Sequence, residues 1–121
     1  MSNRADGDNF EQVFAEALAR NGFWATRLRQ KAAGQPADVL AVKDGKAMLI
    51  DCKRCEHDYF DTRRIEPNQI EAMQLWEACG NGEGRFALGF PDGTVCVVTR
   101  SYLEGKKRVT KEEVLKDSTW L

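Results

Sequence analysis

The sequence predicts a single α+β domain, and three features lead to that prediction. Apolar residues repeat with helical spacing near the start of the chain and again after Pro67. Short apolar runs follow in two pairs, separated by Asp44-Gly45 and Asp92-Gly93, dipeptides typical of tight hairpins. The length of 121 residues fits one domain. The predicted order is helix, strand, hairpin, helix, hairpin, helix, which is an α+β arrangement.

The first predicted element is a helix that ends before Gly22. The apolar residues of its buried face recur at helical spacing and are Phe10, Val13, Phe14, Ala17 and Leu18. We expect Asp8 or Asn9 to cap its start, and residues 1–7 to be flexible.

A strand and a hairpin are predicted next. Residues 23–29 interleave aromatic and β-favouring residues with arginines, which is typical of a strand, and residues 31–36 form a small-residue loop. The hairpin joins the apolar runs 38–42 and 47–53 through an Asp-Gly turn in residues 43–46.

The second half of the predicted domain begins with residues 54–66, a polar and charged segment that we expect to be a mobile loop. Pro67 suits the first turn of a second helix, whose apolar positions are Ile70, Met73, Trp76 and Cys79. Residues 85–99 predict a second hairpin, and Thr110 with Glu113 predicts the start of a terminal helix.

Composition excludes several classes of protein. The formal net charge of −1 means that any nucleic-acid site must rest on local basic clusters. No apolar run approaches the roughly 18 residues of a membrane span and no signal peptide is evident, so we expect no membrane association and a cytoplasmic location, in a bacterial, archaeal or phage-infected cell. The single histidine, His57, excludes an HExxH zinc site, and without a GxSxG motif a serine hydrolase is not expected.

The most informative group of residues is Asp38, Asp51 and Lys53. Asp38 opens one strand of the first hairpin, and Asp51 and Lys53 lie near the end of the other. Alternation along the strand places Asp51 and Lys53 on one face, with Cys52 on the opposite face. A two-residue hairpin turn then brings Asp38 across from Asp51 at one end of the sheet.

Two neighbouring carboxylates repel each other, and a hard divalent cation such as Mg²⁺, which prefers oxygen ligands, relieves that repulsion. A bound metal ion activates water and neutralises charge at phosphorus, while Lys53 orients the water or stabilises the developing negative charge. This arrangement predicts a phosphodiester-cleaving site. The alternative is a pair of solvated strand-end carboxylates with Lys53 as an exposed ion-pair partner.

The residues Gln35-Pro36-Ala37-Asp38 followed by Asp51-Cys52-Lys53 resemble the motif of the PD-(D/E)xK nuclease superfamily. Within it the chain is most similar to Holliday junction resolvases, whose helix glutamate, Gly-Phe pair, arginine and helix-opening glutamine have counterparts here. These counterparts are Glu11, Gly22-Phe23, Arg27 and Gln69. The resemblance covers about residues 8–100. Ala37 stands where the motif has proline, and Cys52 and Cys55 depart from the pattern.

The resemblance implies a restriction-endonuclease-like αβββαβ core with a mixed central sheet flanked by helices. It also implies a Mg²⁺-dependent endonuclease, with Mn²⁺ able to substitute, that cuts branched DNA. Glu11, Asp38 and Asp51 would hold the metal, Lys53 would serve the water or the transition state, and Gln69 would assist. Because a symmetric junction is cut on two strands and one domain has one site, a homodimer is expected.

Helical geometry supports a site role for Glu11. At about 100° per residue it falls beside Leu18 at the edge of the buried face, whereas Glu16 points toward solvent. The alternative for Glu11 is a capping-box glutamate that answers Asp8. Gln69 contacts the site or a phosphate from its helix N-terminus, or it is simply a polar first-turn residue.

Basic residues are candidates for DNA contact because phosphate binding needs cations on a common surface. The candidates are Arg27, Arg29, Arg54, Arg63 and Arg64. Lys106-Lys107-Arg108 forms a further basic run, for which we favour a solvated face.

Three other functions remain open. One is a repair, restriction or phage nuclease that acts on duplex or single-stranded DNA. Another is a non-catalytic nucleic-acid-binding module of the same fold. The third is a redox or zinc protein that uses Cys52 and Cys55, although a second cysteine pair at zinc spacing is missing from the sequence.

Overall fold

The computed structural model describes residues 3–28 and 37–118. In chain order the elements are α1 (Asn3–Arg20), β1 (Trp24–Arg27), β2 (Val39–Lys43), β3 (Lys46–Arg54), β4 (Tyr59–Asp61), a 3₁₀ turn (Thr62–Arg64), α2 (Pro67–Ala78), β5 (Arg85–Gly89), β6 (Val95–Thr99), α3 (Arg100–Leu103), β7 (Arg108–Thr110) and α4 (Lys111–Asp117).

A five-stranded sheet in the order β1-β2-β3-β5-β6 forms the centre of the fold. The β1–β2, β2–β3 and β5–β6 pairs are antiparallel, whereas β3 and β5 are parallel because α2 crosses between them. The sheet is therefore mixed, and helices pack on it. This confirms the predicted α+β class with a mixed central sheet flanked by helices.

Each face of the sheet packs against its own hydrophobic core. Helix α1 covers one face, where Phe10, Phe14 and Leu18 pack with Val39 and Ile50 of the sheet. On the other face, Met73 of α2 and Phe60 of β4 join a cluster that includes the sheet residues Leu49, Phe86 and Leu88. Alternation along β3 decides which of its side chains meets which core.

Helix α1 is longer than predicted and is rotated about its axis. It begins at Asn3, so residues 3–7 are helical rather than flexible, and Asp8 and Asn9 lie inside the helix instead of capping it. Val13, predicted to be buried, is 49% exposed, and Ala15 is buried instead. The buried arc therefore runs from Phe10 past Leu18 to Ala15, and at about 100° per residue it includes the angular position of Glu11.

The segment 54–66 differs most from its prediction as a mobile loop. It contains β4 and the 3₁₀ turn, and β4 pairs with β7 in a separate two-stranded antiparallel sheet. Phe60, the central residue of β4, is 0% exposed, and this burial anchors the segment. The predicted strand end at Arg29 and the loop 31–36 lie outside the described residues.

The predicted second helix, second hairpin and terminal helix are confirmed, and the short helix α3 was not predicted. An ion pair fixes α2 to the end of β6: Arg100 Nε and Nη2 each lie 2.9 Å from a carboxylate oxygen of Glu77. This hydrogen bonding from Arg100 holds the pKa of Glu77 below its usual value. Within the described residues, no helix combines the length and apolar character needed to cross a membrane.

Candidate active site

The β2–β3 hairpin places Asp38 opposite Asp51. Its turn residues Asp44 and Gly45 both have positive φ, 53° and 77°, as a tight two-residue hairpin requires. The resulting register pairs Val39 with Ile50, so the next pair outward is Asp38 and Asp51. The Asp38 backbone N–H donates to Ile50 O at 3.0 Å, which extends the ladder to this position. The predicted apposition of the two aspartates is confirmed.

Asp38 is fixed by a backbone donor on β3. Its Oδ2 accepts a hydrogen bond from the Cys52 backbone N–H at 2.7 Å, and its side chain is largely buried. The Leu28 N–H donates to the Asp38 carbonyl at 2.8 Å, so the chain before β2 is also tied to β1's end. These contacts aim the carboxyl group of Asp38 at β3.

Asp51 is a buried carboxyl group with one incompletely satisfied oxygen. It is 1% exposed, and its Oδ1 accepts a hydrogen bond from Gln69 Nε2 at 3.1 Å. Lys53 Nζ lies 3.0 Å from Oδ2 and forms an ion pair with it, and no other described group donates to this oxygen. Burial raises the pKa of Asp51 to about 8; Lys53 opposes this shift and the nearby Asp38 carboxyl adds to it.

Gln69 joins Asp51 to Lys53. Its amide nitrogen donates to Asp51, while its Oε1 accepts from Lys53 Nζ at 3.2 Å and from the Glu66 backbone N–H at 3.0 Å. The last bond fixes the side chain in the first turn of α2. Gln69 is thus both a first-turn residue, which forms a capping box with Glu66, and a buried link between Asp51 and Lys53.

Lys53 completes the group with a partly accessible cation. Its side chain is 12% exposed and contacts both Asp51 Oδ2 and Gln69 Oε1. Leu49, Asp51 and Lys53 are every second residue of β3, so they lie on one face of the sheet, as predicted. This is the face that α2 covers. The solvated ion pair considered as an alternative is excluded, since neither partner is exposed.

Glu11 and Arg27 form a separate pair. Arg27 Nη2 lies 3.2 Å from Glu11 Oε1, and Arg27 Nη1 donates to Gln12 Oε1 at 3.2 Å. Glu11 belongs to the buried arc of α1, on the face toward which Cys52 points. The capping-box alternative is wrong, because Asp8 lies inside the helix.

The described part of the chain holds no group of three or more His, Cys, Asp or Glu side chains that could bind a metal ion. The predicted three-carboxylate set of Glu11, Asp38 and Asp51 stays a prediction. Glu11 lies on α1 and Asp51 faces α2, while the Cys52 thiol feels the charges of all three carboxyl groups.

The Asp38–Asp51 pair itself fits a divalent cation. Two carboxyl groups face each other, burial disfavours the charged form of Asp51, and the Lys53 ammonium is the one described partner of Asp51 Oδ2. An oxygen-seeking cation satisfies these conditions, and Mg²⁺ commonly takes only one or two protein carboxylates.

The predicted DNA-binding arginines are scattered and differently engaged. Arg54 Nη1 donates to the Phe90 carbonyl at 3.2 Å, Arg63 is 87% exposed and paired with Asp61, and Arg64 Nη1 donates to the Arg54 carbonyl at 2.8 Å. Arg29 lies outside the described residues. Arg54, Arg63 and Arg64 thus lie within one stretch of chain that leaves the site, while Arg27 lies beside α1.

The two cysteines of the CxxC motif lie in different cores. Cys52 packs with the α1 cluster, and Cys55 is buried in the α2 cluster. Burial raises the pKa of both thiols, that of Cys55 to about 11. A zinc or redox pair needs both sulfurs on one side of the sheet, so this geometry does not favour that alternative.

Sequence reasoning missed two contributors to the site. One is the Cys52 backbone N–H, which holds Asp38; hairpin register carries this information, but no residue type signals it. The other is Glu66, whose backbone N–H positions Gln69. The only signal for it is its place before Pro67, where a helix begins.

Comparison with known proteins agrees with this geometry. The family model described as archaeal Holliday junction resolvase (Hjc) matches residues 2–119. Among solved structures, Hjc from Archaeoglobus fulgidus, a Holliday junction resolvase from an archaeal hyperthermophile, is similar with a TM-score of 0.74 and 18% sequence identity, over 91% of this chain and 93% of that chain. A comparison with curated proteins finds no match.

Proposed function

The chain belongs to the archaeal Holliday junction resolvase family, Hjc, a family of endonucleases that resolve branched DNA, and from that membership we propose how its site works. The enzyme depends on a divalent metal ion, Mg²⁺ or in its place Mn²⁺. Asp38 and Asp51 hold the ion, while Lys53 and Gln69 serve the reaction beside it. The observation that carries this proposal is the buried Asp38–Asp51 pair, with the Lys53 ammonium 3.0 Å from Asp51 Oδ2.

The metal ion, when bound, supplies an activated water and charge neutralisation at the phosphate. Asp38 is already aimed by the Cys52 N–H, so it offers its carboxylate without rearranging the backbone. Asp51 offers Oδ2, whose one described partner is the Lys53 ammonium. Because the two carboxylates come from paired strands of a rigid hairpin, their separation is set before any ligand arrives.

Lys53 supplies positive charge where negative charge develops on the phosphate. Its Nζ lies 3.0 Å from Asp51 Oδ2, and 12% of its side-chain surface is exposed, so a phosphate oxygen can approach its ammonium group. Gln69 keeps Lys53 and Asp51 in fixed relative positions through its two ends. Glu11 stays a predicted third ligand, and its carboxylate pairs with Arg27 at 3.2 Å.

We further propose that the active form is a homodimer acting on a four-way junction. Resolution needs two cuts in strands related by symmetry, and this domain contains one Asp38–Asp51 site. A C₂ dimer presents two such sites in symmetric orientation. Trp24, 61% exposed on the edge strand β1, provides apolar surface of the kind that such an interface covers.

Metal binding at Asp38 and Asp51 is testable without cleavage. Adding millimolar Ca²⁺ or Mg²⁺ is expected to raise the thermal midpoint of the wild type, because a ligand at about 100 times its Kd stabilises the native state by about 2.7 kcal/mol. Asp51→Asn is expected to lose most of this shift. The control is Asp44→Asn, an exposed aspartate in the turn of the same hairpin. An equal shift in all three proteins would place the metal elsewhere.

A further inference from the structure

A basic ribbon follows the strand that carries the active site. We use this name for β4, the 3₁₀ turn, β7 and the two lysines before it, that is residues 59–64 and 106–110. β4 and β7 pair with each other and not with the central sheet. Thr62 N–H and Lys107 O are 3.1 Å apart, which holds the lysines against the 3₁₀ turn.

The first part of the ribbon, residues 59–64, lies in the sequence between two residues of the catalytic group, Lys53 and Gln69. Before it, the Cys55 N–H donates to Gly89 O at 2.7 Å, and within it Arg64 Nη1 donates to the Arg54 carbonyl at 2.8 Å. After it, the Glu66 N–H donates to Gln69 Oε1 at 3.0 Å. Hydrogen bonds therefore join this part of the ribbon to the residue that follows Lys53, and the chain that leaves it to Gln69.

The ribbon carries an excess of positive charge. It has five basic side chains and one acidic side chain, Asp61, which pairs with Arg63 at 2.7 Å and lies opposite Arg108 in the β4–β7 pairing. Among the ion pairs formed between described residues, none involves the remaining ribbon cations, which are Arg64, Lys106, Lys107 and Arg108. A clustered excess of cations is unusual on a chain of net charge −1.

Aromatic rings hold three of these cations in place. The Arg108 guanidinium lies 3.9 Å from the Tyr59 ring centroid, and Lys106 Nζ lies 4.4 Å from that of Tyr102. Arg64 lies 5.6 Å from the Phe60 centroid and also donates to the Arg54 carbonyl. Side chains held in this way lose less conformational entropy on binding an anion, and a guanidinium pairs with phosphate through two hydrogen bonds.

We propose that the basic ribbon binds the phosphate backbone of a DNA arm beside the cleavage site. This inference rests on the proposed function for the identity of the substrate. It assigns Lys106, Lys107 and Arg108 a binding role, in place of the solvated face suggested by the sequence. It places them on one surface with Arg64, which the sequence already offered as a DNA-binding candidate. The ribbon positions the DNA arm through its phosphates, whereas cleavage takes place at the Asp38–Asp51 site.

The test is the salt dependence of binding to a dye-labelled four-way junction in EDTA, measured by fluorescence anisotropy between about 50 and 200 mM salt. The ribbon variant is Lys107→Gln/Arg108→Gln. The matched control is Lys46→Gln/Arg20→Gln, which also removes one lysine and one arginine. Both side chains are exposed. Lys46 begins β3, at the opposite end of the strand from Lys53, and Arg20 is the last residue of α1. Thermal midpoints confirm that each variant is folded.

The slope of log K against log salt is expected to fall in magnitude by about 2 in the ribbon variant, since each phosphate contact contributes about 0.9. The control is expected to keep the wild-type slope. If the double variant does not fold, Lys107→Gln alone is expected to reduce the slope by about 0.9. A ribbon variant with the slope of the control would overturn the proposal.

These outcomes are independent of the nuclease proposal, because binding is measured without metal or cleavage. A ribbon-dependent slope in a protein that never cuts DNA would contradict the proposed activity and leave the ribbon surface intact. Metal-dependent cleavage by the wild type, together with a ribbon variant whose salt slope equals that of the wild type, would support the nuclease proposal and contradict the ribbon proposal.

Discussion

Asp51→Asn is expected to abolish junction cleavage in a protein that is at least as stable as the wild type. Removing a residue that only contacts a metal ligand typically lowers metal affinity or activity by about 10–100-fold. Losing a ligand itself is therefore expected to lower the cleavage rate by more than about 100-fold. The measurement is single-turnover cleavage of a four-way junction with Mg²⁺, with Asp44→Asn as the control.

The stability of Asp51→Asn separates a functional carboxylate from a structural one. Burial raises the pKa of Asp51 to about 8, whereas in the unfolded chain this carboxyl group ionises near its ordinary pKa of 3.8. Keeping the group in the fold at pH 7 therefore costs free energy, and asparagine, which does not ionise, removes that cost. In EDTA at pH 7 the free energy of unfolding is expected to stay constant or rise. A clear loss of stability would indicate that Asp51 serves the fold.

Lys53→Ala is expected to lower the cleavage rate by about 10²–10³-fold, the usual effect of removing one group that stabilises transition-state charge. Lys46→Ala, at the other end of the same strand, is the control and is expected to cut at the wild-type rate. The metal-induced rise in thermal midpoint is expected to persist in Lys53→Ala, because Lys53 is not a proposed ligand.

The combination of readouts distinguishes the two roles. Asp51→Asn is expected to lose cleavage and the metal shift together, whereas Lys53→Ala is expected to lose cleavage alone. Wild-type cleavage by Lys53→Ala would mean that this lysine only balances the charge of Asp51.

The apposition of Asp38 and Asp51 could be predicted because it depends on local chemistry. Asp44 and Gly45 accept the positive φ angles of a tight turn, and a two-residue turn leaves one register for the strands on either side. Once the register is set, alternation decides that Asp51 and Lys53 share a face. Everything in this chain of reasoning lies within some 16 residues.

From the sequence, Gln69 could be assigned to the site only through the family resemblance, and its contact with Lys53 could not be predicted. This contact requires α2 to cross over and return the chain parallel to β3, as β5 does. Sequence spacing carries no information about the angle at which α2 packs. The two hydrogen-bonding ends of Gln69 therefore became visible only with the fold.

The basic ribbon could not be predicted for a different reason. Each of its strands has three residues, too few to show alternation, and β4 pairs with β7, which is distant in the sequence. Phe60 is the one strong signal in segment 54–66, a buried aromatic residue within a charged stretch. Helix α1 shows the opposite error, since Val13 fits the apolar pattern yet faces outward while Ala15 is buried.

The most direct test of the account compares cleavage of a four-way junction with cleavage of linear duplex of the same sequence, in Mg²⁺ and in Mn²⁺. Wild type and Asp51→Asn are assayed side by side. Paired, symmetric cuts in the junction alone, absent from the variant and in EDTA, are the expected result and would support a dimer with two sites. Equal cutting of both substrates would contradict the junction assignment, and cutting by Asp51→Asn at the wild-type rate would contradict the site.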